Sequence, residues 1–114
     1  MQFLKKLFSN PHFDSELTGI WESDPEEIES IEEYGNVRLT FGKNGQLTHE
    51  IILHDRIQKI NLVYWTQEGV IYTDQPSSPG TEITKYRIEN DILILDYQGI
   101  ISRYNRQIRP KCAP

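Results

Sequence analysis

The chain has a single cysteine, Cys112, so no intrachain disulfide can form. That excludes the small secreted scaffolds that depend on disulfides, and a reducing compartment, the cytoplasm, is the expected one. Long hydrophobic runs are missing too: none approaches the roughly 20 apolar residues of a membrane-spanning helix, so no membrane span is expected. The opening stretch MQFLKKLF interrupts its apolar pairs with Lys5 and Lys6 and lacks the small-residue cleavage site of a secretory signal. Positive charge is in short supply, with 12 Lys and Arg against 17 Asp and Glu and a formal net charge of −5. An acidic protein gains nothing from counterion release on a polyanion, so nucleic acid is not an expected partner. The one basic stretch, RYNRQIRPK, carries Arg103, Arg106, Arg109 and Lys111 and reads as a solubilising tail.

Catalytic patterns are equally sparse. No Gly-x-Ser-x-Gly, HExxH or phosphate-cradling glycine loop occurs. His49 and His54 stand an odd number of residues apart on a strand-like run, which sends their side chains to opposite faces and argues against a shared metal. Asp55 has the same parity as His49 but lies about 20 Å further along an extended chain, too far for an acid–base pair. The acidic run at Glu26, Glu27, Glu29, Glu32 and Glu33 reads as a solvated helix face, not as a calcium loop with spaced oxygen ligands. No catalytic residue, metal or cofactor is assigned.

What is present is a repeated theme. Of the 114 residues, 37% are apolar and 25% charged, as expected of one globular domain. From Leu17 to Arg106 the chain alternates runs rich in Ile, Val, Tyr and Thr with turn signals. The runs are LTGIWES, NVRLTF, QLTHEIIL, QKINLVYWT, VIYTD, TEITKYRI, ILILDY and IISRYNR, eight candidate strands. Their separators, GKNG, EG, QPSSPG, END and QG among them, are mostly hairpin length. Asn44-Gly45 is the strongest hairpin signal, since both residues accept positive φ.

One segment departs from the theme. In DPEEIESIEEYG, Asp24 can cap a helix, Pro25 suits its first position and Gly35 can end it. Ile28 and Ile31 share one side at helical spacing, so a short helix is predicted between the first two strands. Phe3, Leu4, Leu7 and Phe8 fall on one side of a second short helix near the N-terminus. The expected organisation is an N-terminal segment at 1–16, a barrel domain at 17–106 and a tail at 107–114.

Consecutive hairpins make a meander, and closing it removes its edges. The fold class predicted is an all-β, eight-stranded antiparallel up-and-down barrel, wide enough inside for side chains or one small ligand. Alternation assigns Val37, Leu39 and Phe41, Leu47, His49, Ile51 and Leu53, Ile60, Leu62 and Tyr64, Val70 and Tyr72, and Leu93, Leu95 and Tyr97 to the interior. Ile52, Val63, Trp65, Ile71, Ile92 and Ile94 fall on the outer face. Gly19 interrupts its strand, which is expected where a bulky group lies against bare backbone. Trp21 then plugs the barrel floor beneath side chains of the last strand.

Gly19-Ile20-Trp21, a G-x-W near the start of such a meander, resembles the opening signature of lipocalins and of the wider calycin superfamily. The LTFGKNGQL and YRIENDILIL hairpins and the arginine-bearing closing strand are similar to that group as well. The chain looks most like the small intracellular lipocalin-like domains of bacteria, lacking the C-terminal helix and the disulfide of the secreted ones. A helix after the first strand is similar in position to the lid of fatty-acid-binding proteins. The resemblance implies a small apolar or amphipathic ligand held in the barrel. Those proteins set Arg-x-Tyr on the last strand; here the order is Tyr104-x-Arg106, which also puts both groups on one face.

Two functions are therefore expected as alternatives. In one, a small apolar or carboxylate-bearing molecule sits in a pocket lined by Leu39, Leu62, Tyr64, Tyr72, Leu95, Tyr97, Tyr104 and Arg106 and closed by Ile28 and Ile31, with Gly19 and Trp21 as the structural floor. In the other, the protein is a monomer or homodimer that binds a protein partner, as an adaptor or immunity-type protein does, through its acidic helix and the outward Val63, Trp65 and Ile71.

Overall fold

The computed structural model describes residues 12–28, 31–32 and 35–107. Among them are eight strands: β1 Gly19–Ser23, β2 Asn36–Phe41, β3 Gln46–Ile52, β4 Ile57–Gln67, β5 Val70–Asp74, β6 Glu82–Glu89, β7 Ile92–Tyr97 and β8 Ile100–Gln107. Each pairs antiparallel with the next, and β8 returns to β1 through the Trp21–Arg106 pairing, so the sheet is a closed barrel. Closure leaves no row of unpaired backbone groups for another chain to extend.

Three hairpins turn on two residues that both hold positive φ: Glu68-Gly69 (47° and 78°), Asn90-Asp91 (51° and 63°) and Gln98-Gly99 (53° and 88°). This is the mirror-image turn whose twist matches that of the flanking strands. Asn44-Gly45 does not make one. Only Gly45 has positive φ there, Gly42 N–H donates to the Gln46 carbonyl at 2.8 Å, and the Asn44 side chain accepts from Gln46 N–H at 3.3 Å. The loop is thus four residues long, 42–45, with the asparagine used as a side-chain acceptor and not for left-handed backbone.

Side chains alternate as a barrel demands. Across four neighbouring strands the register aligns Trp21, Leu39, His49 and Ile60 on the inner face. The core cluster contains Leu17, Trp21, Val37, Leu39, Phe41, Leu47, Tyr64, Ile71 and Leu93. The phase expected for β5 is corrected here. Ile71, only 2% exposed, points inward opposite Thr66 and Thr84, while Tyr72 pairs with Trp65 on the outside. The two-residue turn at 68–69 sets this, because it pairs Gln67 with Val70 and so puts Ile71 on the face of Thr66 and Tyr64.

The account expected for Gly19 also changes. Nothing lies within 4 Å of where a Cβ would stand, so no bulky neighbour requires the glycine. Its φ of 130° does, since that conformation is nearly closed to residues with a side chain. The glycine pressed by an aromatic ring is Gly45, where a Cβ would fall 2.9 Å from the Phe13 ring.

Between β1 and β2 the expected helix is not among the elements of the described residues. Ile28, Ile31 and Glu32 have helical backbone, Ile31 N–H donates to the Glu27 carbonyl at 3.0 Å, and Gly35 N–H donates to the Ile31 carbonyl at 2.8 Å. Ile28 is 61% exposed, so it does not share a buried apolar stripe with Ile31. The predicted N-terminal helix and the tail beyond Gln107 lie outside the described residues. Among the described residues, no helix is long and apolar enough to cross a membrane, which says nothing of strands.

Candidate functional site

The two ends of the barrel differ in kind. At one end residues 12–18 run across the strands and seal them. Thr66, 2% exposed on β4, takes the strain of this crossing: its N–H and hydroxyl both donate to the His12 carbonyl, at 2.8 and 3.1 Å, and its oxygen accepts from Asp14 N–H at 3.1 Å. Tyr86 donates to the Asp14 carboxylate at 2.6 Å, and Tyr64 donates to the Gly42 carbonyl at 2.7 Å. Phe13 and Phe41 each meet the Tyr64 ring edge-on.

Trp21 is the centre of this floor. It is fully buried, and its indole N–H donates to the Leu17 carbonyl at 2.8 Å. The Arg106 guanidinium covers its ring at 4.3 Å from the centroid, as a cation over an aromatic face. Arg106 is held there by Asp91 at 2.9 Å and by the Glu16 carbonyl at 3.0 Å. Trp21 is thus fully buried, with Arg106 of the last strand over its ring.

The opposite end is open inside. A cavity of about 400 Å³ lies between the 24–35 segment and the ends of β1, β2, β3, β7 and β8. That is within the usual range for small-molecule sites. Its apolar wall comes from Val37, Ile51, Ile100 and Ile101, and Ile31 reaches it from the covering segment. The polar groups on it include His49, Ser102 and Tyr104. Glu27 and Arg103 stand at its edge and pair at 3.1 Å, and Asp24 N–H donates to the Arg103 carbonyl at 3.1 Å, so the covering segment is tied to β8.

Burial shifts two titrating groups of this wall and a hydrogen bond shifts a third. His49 is held below its ordinary 6.5, because the interior disfavours the imidazolium. Tyr104 is pushed up by burial, an effect partly offset by the Ser102 hydroxyl. Tyr97 is raised by its hydrogen bond to Glu82, at 2.7 Å. Among the described residues, no hydrogen bond reaches the His49 ring.

Of the residues expected to line a pocket, Ile31, Tyr97 and Tyr104 meet at the cavity. Leu39 and Tyr64 are instead buried in the core, with Leu62 and Leu95 packed against it. Arg106 belongs to the floor and does not join Tyr104 as an anion clamp: β8 spaces the two along the barrel axis, and Asp91 and Trp21 occupy the guanidinium. Tyr72 faces out and stacks on Trp65 at 5.5 Å with the rings nearly parallel, and Ile28 faces water. His49 was legible as an inward residue from its phase with Leu47 and Ile51; no signal marked Ser23, Ser102, Ile100 or Ile101 as cavity residues.

The chain matches no protein-family model, and no curated protein matches it in sequence.

Proposed function

We propose that this protein is a small lipocalin-like binding module that holds an apolar or amphipathic small molecule at the open end of its barrel. The observation that carries the reading is the cavity of about 400 Å³, apolar in most of its wall. A filled interior would have left the barrel with surface chemistry alone. The lone cysteine supports a reducing compartment such as the cytoplasm. Nile red, uncharged and brighter in apolar surroundings, tests it. Emission should rise to a saturating one-to-one endpoint, and Ile51→Trp, which fills the cavity, should abolish the rise while keeping the circular dichroism of the parent. Equal emission from both proteins, or none from the parent, would reject the reading.

A second reading rests on the outer face. The stacked Trp65–Tyr72 pair is flanked by Val63 and Ile83, 39% and 56% exposed, and aromatic anchors of this kind dominate protein interfaces. Ile71 drops out of it, being buried.

A further inference from the structure

Resting on the cavity reading, we infer that the cavity selects uncharged apolar molecules bearing one hydrogen-bonding group, which His49 anchors, and that it rejects carboxylates.

The argument starts from the cations. Arg103, at the cavity edge, is paired with Glu27 at 3.1 Å. Arg106 is held on the floor by Asp91 at 2.9 Å and by the Glu16 carbonyl, with the Trp21 ring beneath it. Each guanidinium is already neutralised by a carboxylate, so a second carboxylate beside it faces a pair with no net charge and gains less than it would beside an unpaired cation. The edge itself carries Glu27, and Glu82 binds Tyr97, which also lines the cavity. Glu27 is neutralised by Arg103, so Glu82 is the carboxylate that adds negative charge beside the cavity.

The polar anchor follows from the inner row. His49 stands between Leu39 and Ile60 across the sheet, with Leu47 and Ile51 before and after it on the same face. So apolar a setting keeps the ring neutral, and a neutral imidazole offers one N–H donor and one acceptor nitrogen. No described residue takes either. A hydroxyl, ketone or amide on the ligand satisfies one of them, while its hydrocarbon part lies along Val37, Ile51 and Ile100. Removing such a partner from a site built to hold it is costly, whereas a carboxylate meets only the single N–H.

The experiment uses three molecules of one chain length, 1-octanol, 1-chlorooctane and octanoate, titrated into the isotope-labelled protein near neutral pH. Amide resonances of Ile51, Ile100 and Tyr104 report binding, and ring nitrogen resonances of His49 report the anchor. Octanol should bind about ten-fold more tightly than either of the others, the worth of one buried hydrogen bond or of one avoided charge burial. The His49 ring signals should move with octanol and not with 1-chlorooctane. In His49→Leu the advantage of octanol over 1-chlorooctane should disappear. Octanoate binding as tightly as octanol, or His49 signals that do not distinguish octanol from 1-chlorooctane, would overturn this inference and leave the cavity reading standing. Failure of all three to move the cavity amides would overturn both.

Discussion

At the sealed end of the barrel, the crossing segment is hydrogen-bonded to Thr66 and Tyr86, and the largest side chain of the core, Trp21, sits fully enclosed on a backbone carbonyl. At the open end, the same eight strands leave about 400 Å³ unfilled and a histidine ring without a described partner. The difference lies in what covers each end. Residues 12–18 bring Phe13 and Leu17 into the core and spend their backbone groups on Thr66, whereas the 24–35 segment brings Ile31 and an ion pair and leaves Ile28 in water. Stability concentrates at one end, and the room for a ligand is at the other.

The strongest challenge to that division is to truncate each cover in turn. Trp21→Ala should lower unfolding free energy by about 3–5 kcal/mol, because it deletes a fully buried indole and orphans the Leu17 carbonyl and the Arg106 stack. Ile31→Ala, at the cavity, should cost under about 1 kcal/mol. Urea melts of the two variants measure the contrast directly, and similar losses would erase it. A finer probe is Thr66→Val, nearly the same shape but without the hydroxyl. It leaves the Asp14 N–H without its acceptor, and a loss of about 1–3 kcal/mol is expected. A loss below about 0.5 kcal/mol in the same melts would mean that the Thr66 hydroxyl contributes little to holding the crossing segment.

The smallest expected effect is a pH dependence confined to the open end. Burial lowers the His49 pKa from 6.5, so folding favours the neutral ring. As pH falls through 6.5, the unfolded chain takes up a proton that the folded chain refuses. Stability from the neutral ring is therefore fully present above 6.5, declines as pH drops toward the lower folded-state value, and levels off beneath it. Comparing parent and His49→Leu melts from about pH 8 to about pH 5 cancels the other titrating groups. A difference between the two proteins that stays constant over that range would show that His49 is solvated.

Much of this was readable in advance because hairpins are local. Eight runs of β-rich residues, each followed by a short turn signal, leave few topologies open, and the structure has all eight strands in an antiparallel closed barrel. The β5 phase was readable as well. With Tyr64 inward and a two-residue turn at 68–69, Ile71 has to face in, but VIYT is apolar on both faces and alternation by itself could not choose. Gly19 shows the opposite case: a glycine in a strand signals either a close neighbour or an unusual φ, and only coordinates separate the two.

The sequence by itself determined the strand count, the meander and an oily inward face, because side-chain alternation and turn chemistry act over a few residues. Tertiary structure decided which inward residues are core and which border empty space. Tyr64 and Tyr104 obey the same alternation, yet one is clamped to the Gly42 carbonyl beneath Phe13 and the other lines the cavity. It also decided that Arg106 caps a tryptophan. Packing at a barrel end depends on what chain segment happens to cross it, and that is settled by contacts between residues far apart in sequence, such as Thr66 with His12 and Arg103 with Glu27.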